Sequence, residues 1–555
     1  MQSVKAHLLS VIARAAGVEP GQIHLEHPEV ENHGDYSSNI ALILKGGRPL
    51  AEKIAAVITP DEIIEKTEVA GPGFVNIWLQ KSYLVKELQR VLKENDGYGR
   101  SDDGKGKRVI IDYSAPNIAK RFGIGHLRST IIGQAIYNLH RYLGYEVIGD
   151  NHLGDWGTQF GKLLYMIDRE KPGELSIGLL EELYVRFHAQ AAENNGMEEE
   201  ARKWFRRLEE GEAHARELWE KCVEVSMGEF ERIYKLLEVE IDIAYGESFY
   251  EQKMIEVIEE ARQKGIARES QGAWVIETPA IKTPLMLVKS DGGTTYATRD
   301  LATLKFRRDK WQPKKIVYEV GGEQTLHFQQ VFAAARLLGY AEKETELVHT
   351  RHGLYLSAGG KKFSTRKGDS IKLEEVLEEA IERARKLGNT DQAAAVGIGA
   401  VKYFDLMHQV QSDIVFDWEK IMNLEGNSGP YLQYTFARTQ SVMGKVQNFS
   451  YNELSLYEGQ LHPEEEMIIR WVYKFSEVVE ESAGRYAPNL LANFLYELAQ
   501  RYNTFYNKHS ILTPQGGTEA ELQRIRLFRL LLTEATGQVL KNGLNLLGIQ
   551  APERM

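Results

Sequence analysis

The stretch from Arg108 to Asp150 limits what this chain can fold into more than any other, because its hydrophobic period changes in the middle. Val109, Ile110 and Ile111 form a short apolar run, the pattern of a strand buried on both faces. Pro116, Gly123 and Gly125 then bar regular structure through a turn. From Leu127 the apolar residues fall at helical spacing, Leu127, Ile131, Ala135 and Leu139, and Gly144 stands where a helix stops. Glu146 to Gly149 reads as another strand. A strand, loop, helix, strand unit predicts a parallel sheet of Rossmann type. Its glycine turn opens the helix, where backbone amides and the positive end of the helix attract phosphate. His126 lies in that first turn.

A chain of 555 residues is too long for one core, so several domains are expected. Residues 1–106 read as a small α+β domain: a helix carrying Val4, Leu8, Leu9, Ile12 and Ala15, a second near Ala51–Ile58, and a strand at 74–79. Gly97, Gly99, Gly104 and Gly106 mark a linker. Residues 107–427 form the α/β domain, with a helical insertion at about 170–245 and strands at Leu285–Lys289, Ile316–Val320 and Leu347–Thr350. A basic loop, Lys361–Gly368, sits between glycines and suits a triphosphate, since mobile cations meet the charge that develops as pyrophosphate leaves. Residues 428–555 are helical and rich in aromatic and basic residues, a mixture suited to stacking unpaired bases.

One cysteine, Cys222, excludes a disulfide framework and a cysteine-rich zinc site. No apolar run approaches the roughly 20 residues of a membrane span. The N-terminal stretch lacks a signal-peptide core, so a cytoplasmic protein is expected. The net charge of -11 argues against a nonspecific nucleic-acid coat while leaving room for a local basic groove.

The run Ser114 to Thr130, followed by Asn151-His152-Leu153-Gly154-Asp155-Trp156-Gly157, resembles the arginyl-tRNA synthetases. The class I signature His-x-Gly-His is present with Gly123 in the first place and His126 in the last. Lys362-Phe363-Ser364-Thr365-Arg366 stands where the family carries Lys-Met-Ser-Lys-Ser, with Thr365 in place of the second lysine. The resemblance implies that Lys120 substitutes for that lysine, and that Lys120, His126, Lys362, Ser364 and Arg366 are catalytic. It implies ATP contacts at Gly123, Gly125, His126, His327 and Phe363. A guanidinium needs planar carboxylate acceptors, and Asp112, Asn117, Tyr296, Asp300 and Gln324 fall in the arginine-binding places.

His33-Gly34-Asp35-Tyr36 with Asn39 matches the N-terminal domain that contacts the tRNA elbow. Tyr431, Tyr434, Arg438, Tyr502 and Met555 are the implied tRNA contacts of an anticodon-binding domain. The reading is an arginine–tRNA ligase acting as a monomer: ATP with Mg²⁺ and L-arginine give an adenylate, whose arginyl group passes to the 3′-terminal adenosine of tRNA(Arg). The resemblance implies that activation requires the tRNA, and no protein-bound metal is expected. A small-molecule nucleotidylyltransferase and a noncatalytic tRNA-binding paralogue are the rival readings.

Overall fold

The computed structural model describes residues 3–194, 196–278, 281–357, 372–388, 390–446 and 461–555. The chain divides into two compact units: Met1–Tyr98, Arg438–Ser476 and Glu497–Leu540 in one, Gly99–Ala437, Glu477–Tyr496 and Lys541–Met555 in the other. Among the described residues no helix is long and apolar enough to cross a membrane.

In the first unit a helix at Val4–Ala16 starts on a Ser3 side-chain cap and stops at Gly17, whose φ of 69° is left-handed. The strands β1 (Leu25–Glu26), β2 (Tyr36–Ser38), β3 (Ile64–Ala70) and β4 (Phe74–Leu79) form an antiparallel sheet in the order β1-β2-β4-β3. The His-Gly-Asp-Tyr stretch is part of this framework. Gly34 has φ 92°, and a Cβ there would lie 2.7 Å from the Ile77 carbonyl, so only glycine fits. The buried Asp35 carboxylate accepts from the Leu79 amide at 2.7 Å and from Arg470 at 2.5 Å. Tyr36 is fully buried. His33 is the member of the stretch that stays exposed.

The second unit is built on a parallel sheet: β5 (Arg108–Asp112), β6 (Glu146–Asp150), β10 (Lys315–Tyr318) and β11 (Glu346–His349), in the order β11-β10-β5-β6. A helix at Ile124–Tyr142 crosses from β5 to β6, so the unit read from the change of period is present. Burial of Val109, Ile110 and Ile111 explains their unbroken apolarity. The insertion is helical, at Ile177–Ala191, Gly196–Glu209 and Ala213–Leu237. The strand expected near Leu285 lies outside the parallel sheet. As β9 (Ile281–Val288) it joins β7 (Ala267–Ser270) and β8 (Ala273–Thr278) in an antiparallel sheet. β12 (Tyr355–Leu356) and β13 (Ile414–Val415) form a separate parallel pair.

From Gly429 onward the described residues are helical: Gly429–Met443, Pro463–Val472, Phe475–Gly484, Pro488–Lys508 and Glu519–Leu546.

Candidate functional site

In the parallel sheet the chain leaves β5 for β6 on one side and returns to β10 on the other. That makes the carboxyl ends of β5 and β10 the topological switch point, where open α/β sheets place ligands. Asp112 and Tyr318 are register partners there, and Asp150 ends β6 beside Asp112.

The loop after β5 carries non-glycine residues at positive φ: Ser114 at 72°, Ala115 at 45° and Ala119 at 63°. Each such conformation costs about 1–3 kcal/mol and persists only where the surroundings fix it. Here they do. The Ser114 amide donates to Ser129 Oγ at 3.0 Å, the Ala115 amide to Asn151 Oδ1 at 3.0 Å, and the Ala119 amide to Ser226 Oγ at 2.9 Å. Ser114 Oγ also meets the Tyr234 hydroxyl at 2.8 Å. Gly123, by contrast, is ordinarily extended at φ -90° and caps the helix. Gly125 is exposed, with nothing within 4 Å of where its Cβ would stand. A side chain at this position would meet none of the described residues.

The Gly123 amide donates to His126 Nδ1 at 3.1 Å, which leaves the proton of the neutral ring on Nε2. Burial holds the His126 pKa below its ordinary value, and the charges of Lys120 and His352 push the same way. The ring is thus a neutral donor beside the helix N-terminus. Lys120 is exposed, its ammonium 5.7 Å from the centre of the Tyr184 ring. Lys372 pairs with Gly123, and the Leu373 amide donates to the Phe122 carbonyl at 2.9 Å. The chain four positions beyond Gly368 is thereby tied to this turn. Lys362, Phe363, Ser364, Thr365 and Arg366 lie outside the described residues.

Deeper at the switch point lies a concentration of carboxylates. Arg307, fully buried on the Tyr296–Trp311 helix, donates to Asp112 at 2.5 Å and to Asp150 at 2.6 and 3.0 Å. Two carboxylates thus share one guanidinium. Burial raises both pKa values, against the opposing effect of Arg307, and Asp300 raises Asp112 further. Asp112, expected to hold the substrate, is instead engaged by an internal arginine, which the sequence reading missed. Asp300, two turns earlier on the same helix, places one oxygen 2.5 Å from His327 Nε2.

Glu247 pairs with Arg299 at 3.1 Å, and burial lifts its pKa to about 7, helped by Asp155 and Asp300. Burial keeps the nearby His152 neutral by lowering its pKa. Among the described residues Asp112, Asp150, Glu247 and Asp300 thus stand against two guanidinium groups, Arg299 and Arg307, and this surplus of carboxylates favours a cation. Tyr296 starts the helix and is 72% exposed, with Arg299 over its ring at 5.3 Å. Gln324 is exposed at the turn that leads into the helix carrying His327. Asn117 is exposed on the loop, its side chain against Gly154, where a Cβ would lie 2.3 Å from Oδ1.

The residues expected to meet tRNA divide. Tyr434 is 43% exposed and Tyr431 half-buried against Tyr496. Arg438 donates to Asn503 at 2.5 Å and lies 4.7 Å over the Tyr506 ring. Tyr502 is fully buried. A ring with no exposed face has none to stack on a base, so Tyr502 is corrected to a core residue. Met555 packs, partly buried, against the cluster Ala384, Ala393 and Val396.

Comparison with known proteins agrees with this fold. A family model described as the catalytic domain of "tRNA synthetases class I (R)" matches residues 87–418. One for the "Arginyl tRNA synthetase N terminal domain" matches 2–79, and the "DALR anticodon binding domain" matches 432–555. The chain is 42% identical over 527 residues to the "Arginine--tRNA ligase" of Chloroflexus aurantiacus, covering 91% of this chain and 90% of that protein. It is 39% identical over 550 residues to that of Clostridium kluyveri, covering 96% of each. Among solved structures, the arginyl-tRNA synthetase of Thermus thermophilus matches at TM-score 0.84 and 24% identity, with full coverage of both chains. That of Plasmodium falciparum gives the same values. At this identity the structural matches speak for the fold.

Proposed function

The chain belongs to the arginyl-tRNA synthetases, and from that membership we propose how its residues divide the work of an arginine–tRNA ligase. ATP, carrying Mg²⁺ on its triphosphate as substrate, lies over the first turn of the Ile124–Tyr142 helix. There the neutral His126 and the positive end of the helix meet its phosphates. Arginine enters the acidic pocket with its guanidinium toward Asp300, and Tyr296, Asn117 and Gln324 border it. Its carboxylate attacks the α-phosphate in line. Catalysis is then positioning and charge stabilisation, with no protein nucleophile. Transfer to the terminal adenosine of tRNA follows, and tRNA is required for the first step.

The observation that carries this reading is the excess of buried carboxylates over guanidinium groups at the switch point. Citrulline tests it, because it keeps the shape of arginine and lacks the charge. Calorimetric titration of the full chain should show arginine binding at least about a hundredfold tighter than citrulline. Equal binding would remove charge as the basis of recognition.

The division 1–106, 107–427 and 428–555 is retained as tRNA-contacting, catalytic and anticodon-binding parts. Tyr431, Tyr434 and Arg438 remain the proposed tRNA contacts of the last.

Lys120 is the proposed replacement for the cation that Thr365 does not supply. It lies on the same loop, close enough for its charge to push the His126 pKa down together with burial, and this supports a position on the phosphate side of the turn. Lys120→Ala should lower kcat about 100- to 1,000-fold with little change in the arginine KM, because the contact matters where charge develops. Adding Thr365→Lys should recover part of the loss. A Lys120→Ala enzyme within about threefold of the parent rate would leave no role for this lysine in the step.

A further inference from the structure

Away from the switch point, the second unit carries a half-open cavity of about 390 Å³ that the reaction leaves unused. The last turn of the Ala213–Leu237 helix, the first turns of the Ala393–Leu406 helix and the turn Gly548–Gln550 form its walls. Leu236, Leu237, Ile398 and Ile549 make much of the lining apolar.

The charged groups on that lining are unbalanced. Arg232, Lys235 and Lys402 face the cavity, against one carboxylate, Glu238. Arg232 is held by Glu229 at 2.9 Å and Glu374 at 2.5 Å, and Glu238 accepts from Gln550. Lys402 is different. It is 1% exposed, and its ammonium donates to the Leu237 carbonyl at 2.6 Å and to the Gly548 carbonyl. An ammonium has three N–H groups, and the hydrogen bonds to these two carbonyls use two of them. Burial pulls its pKa down to about 8, with only Glu238 acting in the other direction. A buried cation without a close counter-ion is costly, and an anion beside it would offset that cost. Ala394 and Ala395 bring to the same wall the first turn of a 14-residue helix, whose opening amides have no partner within the helix.

We propose that this cavity binds a small organic anion, its carboxylate or phosphate head on Lys402 and the helix start, its short apolar body against Leu236, Ile398 and Ile549. Occupancy is felt at the signature loop. The helix whose last turn walls the cavity also carries Tyr234 and Ser226, which hold Ser114 and the Ala119 amide in their left-handed conformations. The occupant therefore acts as an effector that stiffens the helix bracing the ATP-side loop.

Calorimetric titration of the full chain with sodium hexanoate, and separately with phenyl phosphate, tests this and distinguishes the head groups. At least one probe should bind saturably below about 1 mM. Ile398→Trp, which fills the cavity, should weaken it at least tenfold, and Arg232→Gln with Lys235→Gln about threefold, flattening its dependence on salt. Ala395→Leu serves where the tryptophan variant does not fold. The proposal is overturned if neither probe binds saturably, if the cavity-filling variants bind as the parent does, or if ATP or arginine competes the probe away.

Discussion

Replacing Asp300 with alanine raises the arginine KM about a hundredfold or more and leaves the ATP KM within about threefold. The carboxylate is largely buried, its side chain 19% exposed, and only one of its oxygens is taken by His327. Removing it leaves an entering guanidinium desolvated without its planar acceptor, a loss of about 3–5 kcal/mol. Asp300→Asn is the sharper comparison, because it keeps a hydrogen-bonding partner for His327 and deletes the charge. It should lose nearly as much arginine affinity as the alanine variant. Steady-state kinetics of both, with arginine and ATP varied separately, decide the matter. A near-normal arginine KM in either variant would move guanidinium recognition elsewhere in the pocket.

The second large effect falls on stability. Arg307→Met leaves Asp112 and Asp150 buried beside one another with no cation between them. Breaking a buried charge network from one side costs about 3–5 kcal/mol, a large share of what holds a domain folded. The loss has a definite pH dependence. Burial already holds both carboxylates above their ordinary values, and without Arg307 they rise further. A carboxylate whose pKa is higher folded than unfolded costs nothing below the unfolded value of about 4, and its penalty grows as pH rises through the folded value. Urea unfolding of the variant should therefore show a larger deficit at pH 7.5 than at pH 5. Adding Asp150→Asn should return part of it. A pH-independent deficit, or one below about 1 kcal/mol, would show that the three groups do not act as a unit.

What was legible in the sequence follows the range of each interaction. The β5–helix–β6 unit could be read because a change from buried-strand to helical period is written in adjacent residues. Asp300 was found because Tyr296 and Asp300 lie one turn apart in a recognisable stretch. Arg307 was not, since its partners stand 157 and 195 positions away and no local pattern marks an arginine that will be buried. Asp150 carried a weaker signal, an acidic residue at the end of an apolar strand. Tyr502 failed for the opposite reason. Helical spacing puts it on a face, and only packing decides whether that face meets solvent. β7 and β8 were missed because Arg268, Glu269 and Glu277 interrupt the apolar alternation of a sheet that is half exposed.

One chemical statement is central: this chain activates arginine, and does so through a pocket that answers to its charge. Exchange of pyrophosphate into ATP, measured with each amino acid in turn and with and without tRNA, addresses it directly. The expected result is exchange with arginine alone, dependent on tRNA and absent with citrulline. Exchange driven by another amino acid, or none with arginine under any condition, would contradict it.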